Sequence, residues 1–469
     1  MGILVLLPIY LLTMPPSLTW AHWGADGGDL ATAVALGRLP HPPGFPTYLL
    51  LGAAFVRLPW GDPAGRLNRL SALSAALAAG LTAAAVRRVS SSAVAEKGGQ
   101  PQGLPLQNLA VAAVTAGLSL GLAPLFWSQA LIAEVYAPAA LFSAALLFLA
   151  CGAGFQPVLT GILWGLGIGV HPTLLFLAPL VWWRKIYLAH PFALLTVVIL
   201  YGPVLLAWGK TPSPWADFST LDGWWAYVSG RLYHGYLFGL PAAFWPQRLL
   251  AWAGLLARQF TPPGALLALW GWARLWRENR GLAVATALAF GAFSLYAVAY
   301  NTADSLVYLA PALPLVALWL GAGLDALLRA SWSVLHAPRP LLPAICFLLP
   351  AIQAVLFWGQ MDLHRDRSAI TWAGETLRAA PPGAVLLTDQ DGATFALWYA
   401  RDVLRVRPDV RIVDRDLLGH PPYRRFLGVE WGLDCGAGCQ PATPGSLETA
   451  LNDPTRPIIP VHAPLEGGR

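Results

Sequence analysis

Charge is what this sequence has least of: 12% of its 469 residues are Asp, Glu, Lys or Arg, while 56% are hydrophobic. An ordinary soluble chain carries about a quarter of its residues charged, so the composition excludes a water-soluble enzyme over most of this length. Cysteine is also scarce, with four in all. Cys151 and Cys346 fall in apolar runs and read as packed thiols, whereas Cys435 and Cys439, separated by Gly-Ala-Gly, can pair as a disulfide. Two cysteines with no third or fourth ligand nearby exclude a closed zinc site. The net charge of +6 is not gathered into a basic stripe or tail, which removes nucleic acid as a partner. No internal repeat marks duplicated transporter halves. The first apolar stretch, Gly2 to Thr19, lacks the basic start of a signal peptide and reads as a membrane helix.

What the chain does have is apolar stretches of spanning length, recurring from Met1 to about Trp358 and broken by short polar or Pro/Gly-rich segments. This pattern predicts an α-helical polytopic membrane protein with about eleven transmembrane helices. Short loops rich in basic residues mark the cytoplasmic side: Arg87, Arg88 and Lys97; Arg184 and Lys185; Arg274, Arg277 and Arg280; Arg329 and Arg339. Alternation from there puts the segments around Asp26 to Arg66, Trp127 to Tyr136, His171, Gly209 to Phe260 and Asn301 to Ser305 outside. From residue 359 the charges return. Ser368 to Ala380 reads as a helix, Ala384 to Thr388 as a strand, Ala393 to Asp402 as a helix and Val410 to Val413 as a strand. Together they predict a small C-terminal α/β domain over 359–469, extracytoplasmic because the span number is odd, following a membrane domain over 1–358.

The acids Asp26, Asp29, Glu134, Asp217 and Asp304 all fall on the outer side in this topology. Asp26 and Asp29 share one helical face and either point into a cavity or cap the helix start. The rigid His41-Pro-Pro-Gly-Phe-Pro loop follows. Glu134 at a span end should face a cavity or water and not lipid. Trp127 reads as an interfacial belt residue, with Tyr136 open to the same explanation. His171 interrupts an apolar run, lining a pocket or marking a tight turn. In the long outer segment, Asp217, Trp224, Trp225, Arg231 and Tyr233 suit sugar stacking and phosphate pairing, or an amphipathic helix on the membrane. Tyr300-Asn-Thr-Ala-Asp304 is a polar turn between spans, as a plain exterior turn would be.

At these residues the sequence resembles the bacterial group of protein O-mannosyltransferase-like membrane proteins within the GT-C glycosyltransferases. The resemblance runs through Asp26-Gly-Gly-Asp29, His41-Pro-Pro-Gly-Phe-Pro, Arg66-Leu-Asn68-Arg-Leu-Ser71-Ala-Leu, Trp127-Ser-Gln-Ala, Glu134-Val-Tyr136, Gly165-Leu-Gly with His171, Tyr300-Asn-Thr-Ala-Asp304, Trp398-Tyr399 and Arg407-Pro-Asp-Val410. It implies a GT-C fold, a catalytic acid in the first outer loop and a polyprenyl-phosphate sugar, mannose-like, as donor. The acceptor is then a hydroxyl outside the membrane, of a protein Ser/Thr or a glycan. Asp29 stands where the family pattern usually has Glu, which favours Asp26 as base with Asp29 in support.

In such a reaction the base deprotonates the acceptor hydroxyl, the anomeric centre inverts, and a cation steadies the phosphate leaving group. Arg231, His41 and Arg66 are the candidates for that cation, and Glu134, Tyr136, His171, Asp217 and Asp304 are further substrate-binding candidates. The carboxylates could also hold a divalent cation, Mg²⁺ or Mn²⁺, although no ligand set is recognisable. The contrasting reading is a lipid or glycan flippase, which would place its ionisable residues mid-span; here they sit near span ends.

Overall fold

Backbone that cannot hydrogen-bond to lipid must close its bonds internally, and the computed structural model is accordingly helical almost throughout from Gly2 to Met361. It describes residues 2–95, 106–152, 154, 156–183, 186–208, 213–334, 341–431 and 457–464. Lys97, Arg184, Lys185, Arg339, Cys435 and Cys439 lie outside the described residues. The first four helices are α1 (Gly2–Thr13), α2 (Gly27–Leu36), α3 (Pro46–Phe55) and α4 (Pro63–Ala95). A broken span follows, α5 (Leu106–Gly121) and α6 (Pro124–Leu131), bent by 62°. Next come α7 (Tyr136–Ala150), α8 (Pro157–Val170), α9 (Ala178–Trp182), α10 (His190–Trp208), α11 (Leu221–Val228) and α12 (Trp245–Gln259). The bundle closes with α13 (Thr261–Glu278), α14 (Arg280–Ala299), α15 (Leu313–Val334) and α16 (Leu341–Met361).

Among the described residues, four segments are long and apolar enough to cross a membrane unaided: Pro63–Ser91, Arg280–Ala299, Ser305–Ala330 and Ala344–Met361. The bent pair adds a fifth, and seven further apolar segments are shorter. The expected series of uniform spans is thus more broken than the hydropathy pattern suggests, because Pro, Gly and polar residues interrupt runs that composition alone reads as continuous. Val355, Leu4 and Leu250 are 81%, 78% and 74% exposed, as suits side chains facing lipid in a multi-pass membrane protein.

Close helix packing relies on small residues, as it does where lipid removes a hydrophobic drive between helices. A Cβ on Gly271 would stand 1.9 Å from the Trp319 carbonyl, and one on Gly323 2.1 Å from that of Leu267, so α13 and α15 meet backbone to backbone. The bend between α5 and α6 is tied by side-chain amides. Fully buried Gln353 of α16 donates to the carbonyls of Ser119 (2.9 Å) and Gln259 (2.6 Å), and the Gln259 amide oxygen accepts from Leu125 N–H (3.0 Å). Trp127 is completely buried, its indole donating to Thr13 Oγ1 at 3.3 Å. It is a core residue and not the expected interfacial aromatic, since the short helix carrying it is packed inside the bundle.

The C-terminal unit runs α17 (Ser368–Ala379), β1 (Val385–Thr388), α18 (Asp391–Trp398), β2 (Arg411–Asp414), α19 (Pro421–Trp431) and β3 (Ile458–Pro460). The helix–strand–helix–strand order expected from the sequence is present, and α18 continues into a π-helical turn over Tyr399–Val403. The three strands are parallel in the order β2-β1-β3, with Val385 opposite Arg411 and Ile458. Leu386, Ile412, Leu377 and Leu397 fill the small core between sheet and helices. The unit is clamped to the bundle: Trp20 Nε1 donates to the Gly392 carbonyl (3.0 Å), Leu363 N–H to that of Thr13 (2.7 Å), and Ala64 N–H to the Tyr399 hydroxyl (3.1 Å).

Candidate active site

Asp26 occupies the N-cap position of α2 but makes no capping bond, and 39% of its side chain is open. Three residues on, Asp29 is buried and likewise caps nothing: one carboxylate oxygen accepts both the His41 backbone N–H (2.7 Å) and His41 Nδ1 (2.8 Å). This pair of bonds fixes the imidazole with Nε2 3.7 Å from the Asp26 carboxylate. The loop that carries His41 is held from behind, where the Tyr227 hydroxyl donates to the Pro40 carbonyl at 2.8 Å and leaves no room for a Cβ on Gly44. Burial alone would lower the His41 pKa, but Asp26 and Asp29 outweigh it and hold the imidazolium up to about 9. Burial also raises Asp26, with His41 opposing and Asp304 and Asp29 adding to the rise.

Around this centre lies a cavity of about 430 Å³. Its walls bring together Asp26, His41, Glu134, Tyr136, His171 and Asp304 from separate segments of the chain. Glu134 enters at the break between α6 and α7, and its Oε1 is buried with no hydrogen-bond partner among the described residues. His171, at the break after α8, is only 5.7 Å ring to ring from Tyr136 and 5.6 Å from Tyr308. Tyr308 meets Tyr296 and Tyr300 edge-on, the three rings lying 5.0–5.4 Å apart, and Tyr233 and Tyr236 continue the aromatic wall. Asp304 opens the turn Ser305–Ala312, whose base is fixed by Arg248 on the Thr302 carbonyl (3.0 Å). No Arg or Lys is among the described residues lining the cavity, so His41 supplies its fixed positive charge.

Four candidates stand outside these walls: Asp29, which lines a second cleft and meets the cavity through His41, and Arg231, Arg66 and Asp217. Arg231 is exposed and forks onto Asp222 at 2.7 and 2.9 Å. Arg66 spends its guanidinium on the carbonyls of Val56, Trp60 and Gly61, closing the turn after α3. Asp217 binds Ser219 and Arg425, which hold its carboxylate down at about 2 and join the outer loop to α19. Residue type fits phosphate binding for the two arginines and a polar substrate contact for Asp217, but a nearer partner takes each charge.

Two side chains of the C-terminal unit also reach the cavity, Asp391 and Phe395, one turn apart on α18. Phe395 lies parallel to the His41 ring at 6.2 Å and 11°. Burial, with Asp26 and Asp414 adding, raises Asp391 to about 7, against the pull of His41. Nothing local flags Asp391 in the sequence, because Asp in a first helical turn is commonplace. Its signal lies in Gly28: a Cβ there would stand 2.5 Å from the Phe395 carbonyl group, so the second glycine of Asp26-Gly-Gly-Asp29 is the seat of α18.

A larger cleft of about 520 Å³ lies on the other side of α2, where Arg38 and Arg401 pair with Asp402, and Asp29, Arg405 and Glu430 also line it. Among the described residues no three His, Cys, Asp or Glu side chains form a set that could hold a metal ion.

Two family profiles match. One described as the N-terminal domain of the protein O-mannosyl-transferase TMEM260 covers residues 26–191, and one described as TMEM260-associated domain 2 covers 369–425. The first begins on the very acid that faces the cavity. Over these two stretches the chain is similar to the protein O-mannosyl-transferase TMEM260 family. Its likeness to a curated relative, the protein O-mannosyl-transferase TMEM260 of Mus musculus, is 25% identity over 488 residues, 91% of this chain. The chain spans 64% of that relative's length. Among solved structures, ArnT from Cupriavidus metallidurans bound to undecaprenyl phosphate matches with a TM-score of 0.56, 15% identity and coverage of 88% of this chain and 89% of that one. The apo form of ArnT matches with a TM-score of 0.52 and 16% identity over the same shares. The structural likeness gives the chain the GT-C membrane fold of ArnT, with an α/β C-terminal unit.

Proposed function

We propose that this chain transfers a mannose-like sugar from a polyprenyl phosphate to an acceptor hydroxyl, of protein Ser/Thr or a glycan, on the outer face of the cell membrane. The observation that carries the reading is the half-open Asp26 carboxylate held 3.7 Å from an imidazolium whose own position is locked by Asp29. Asp26 takes the proton of the acceptor hydroxyl, the oxygen attacks the anomeric carbon from the face opposite the phosphate, and the sugar–phosphate bond breaks with inversion. The polyprenyl phosphate leaves as an anion, steadied by the His41 imidazolium and by tyrosine hydroxyls of the cavity wall. The matched ArnT structure, which is bound to undecaprenyl phosphate, supports a donor of this class.

Helix polarity supports the outer placement. α7 begins at the cavity with Tyr136 and ends where Arg88 donates to the Phe148 carbonyl, while α15 leaves the cavity side and ends at the Arg274–Asp325–Arg329 cluster. The basic ends therefore lie opposite the cavity, as the positive-inside rule places them for an outward-facing site. Purified protein incubated with a panel of polyprenyl-linked sugars, followed by mass measurement of candidate acceptors, tests the reading. Asp26→Asn should abolish the product while the protein stays folded in the membrane; full transfer by that variant would remove the assigned base.

A further inference from the structure

Asp391 differs from the other carboxyl groups among the described cavity-lining residues in coming from the C-terminal unit and not from the bundle or its first outer loop. Its position is enforced. α18 sits on α2 at Gly28, the Trp20 indole holds the Gly392 carbonyl, and Phe395 stacks on His41. Its carboxyl group is nevertheless open to the cavity, with no hydrogen bond or ion pair to any described residue. An acid in the first turn of a helix needs no such cavity, and Gln390, the residue at the N-cap, makes no side-chain capping bond either.

The cavity has two unlike sides. Leu175, Phe176 and Leu237 line it together with the tyrosines of the bundle, a surface suited to a lipid-borne donor. α18 closes it from the water-borne unit. An ionised carboxylate there repels a phosphate, whereas it suits a hydroxyl-bearing acceptor as a hydrogen-bond acceptor.

We propose that Asp391 selects the acceptor: it accepts a hydrogen bond from the incoming hydroxyl-bearing molecule and rejects acceptors with an anionic group beside that hydroxyl. The C-terminal unit is then part of the substrate site. This inference rests on the glycosyl-transfer reading above.

The test uses the full-length protein, a polyprenyl-linked sugar from the panel, and two synthetic Ser/Thr peptides that differ by one Asp beside the acceptor residue. The wild-type chain should favour the neutral peptide by about tenfold or more in kcat/KM, as one like-charge contact at a desolvated site allows. Asp391→Asn should bring that ratio close to unity and raise KM for the neutral peptide while leaving the donor KM unchanged. Asp391→Glu should restore the preference. Asp389→Asn, which removes a carboxylate paired with His462 at 3.0 Å and outside the cavity, should behave as wild type. The preference is a ratio within one preparation, so partial misfolding cannot imitate its loss. Normal wild-type transfer with an unchanged ratio and unchanged KM values in Asp391→Asn overturns the inference alone. A wild-type chain that transfers no sugar to either peptide or to a glycan overturns the glycosyl-transfer reading, and this inference with it.

Discussion

Gly28→Ala places one methyl group at the contact between α2 and α18. The added Cβ would lie 2.5 Å from both the carbon and the oxygen of the Phe395 carbonyl and 3.0 Å from Ala396 N. All three atoms are backbone, so no rotamer change relieves the clash. Ordinary contact begins at 3.4 Å, which requires α18 to retreat by about 0.9 Å. Overpacking of this kind costs about 1–3 kcal/mol, and a shift near 1 Å in a positioning element costs on the order of 10²-fold in rate. The retreat carries Phe395 off His41 and Asp391 away from Asp26, so kcat/KM for sugar transfer should fall by about that factor. Thermal unfolding in detergent should show the loss of stability, and Gly291→Ala, which meets nothing within 4 Å on α14, is the control that should do neither. Wild-type transfer and unfolding in Gly28→Ala would refute the claim that this glycine seats the C-terminal unit.

Asp29→Asn keeps the side-chain shape but removes the charge that holds His41; kcat should drop with acceptor KM little changed, and a fall confined to acceptor KM would contradict a positioning role. The His41 pKa, raised from 6.5 to about 9 by Asp26 and Asp29 against burial, gives stability that is complete below the unfolded value and is lost as pH rises through about 9. Unfolding midpoints should therefore decline between about pH 6.5 and 9, and His41→Gln should flatten that decline. EDTA should leave transfer intact, because no three ligating side chains converge among the described residues; activity lost to EDTA and returned by Mg²⁺ or Mn²⁺ would contradict this.

Much of the site was legible because its residues sit where a membrane makes polar groups expensive. Asp26, Asp29, Glu134, His171 and Asp304 each interrupt or end an apolar run, and the topology rule alone puts them on one side. The α/β order of the C-terminal unit was legible from short apolar runs between turn residues. Arg66, Arg231 and Asp217 show the limit: composition reports that a charge lies between apolar runs, but not that a carbonyl, Asp222 or Arg425 already binds it. Asp391 shows the opposite limit, since its place depends on a docking contact between residues 28 and 395 that no local pattern records.

The amide ties across the kink between α5 and α6 bear on how the chamber works. With Gln353 and Gln259 bonded to Ser119 O and Leu125 N–H on its two arms, the elbow cannot straighten without stranding buried donors and acceptors in a medium that offers no water. It is a brace and not a hinge. The break that follows it, from which Glu134 projects, is therefore set before any lipid arrives, and whatever yields on loading must belong to the outer segments above it.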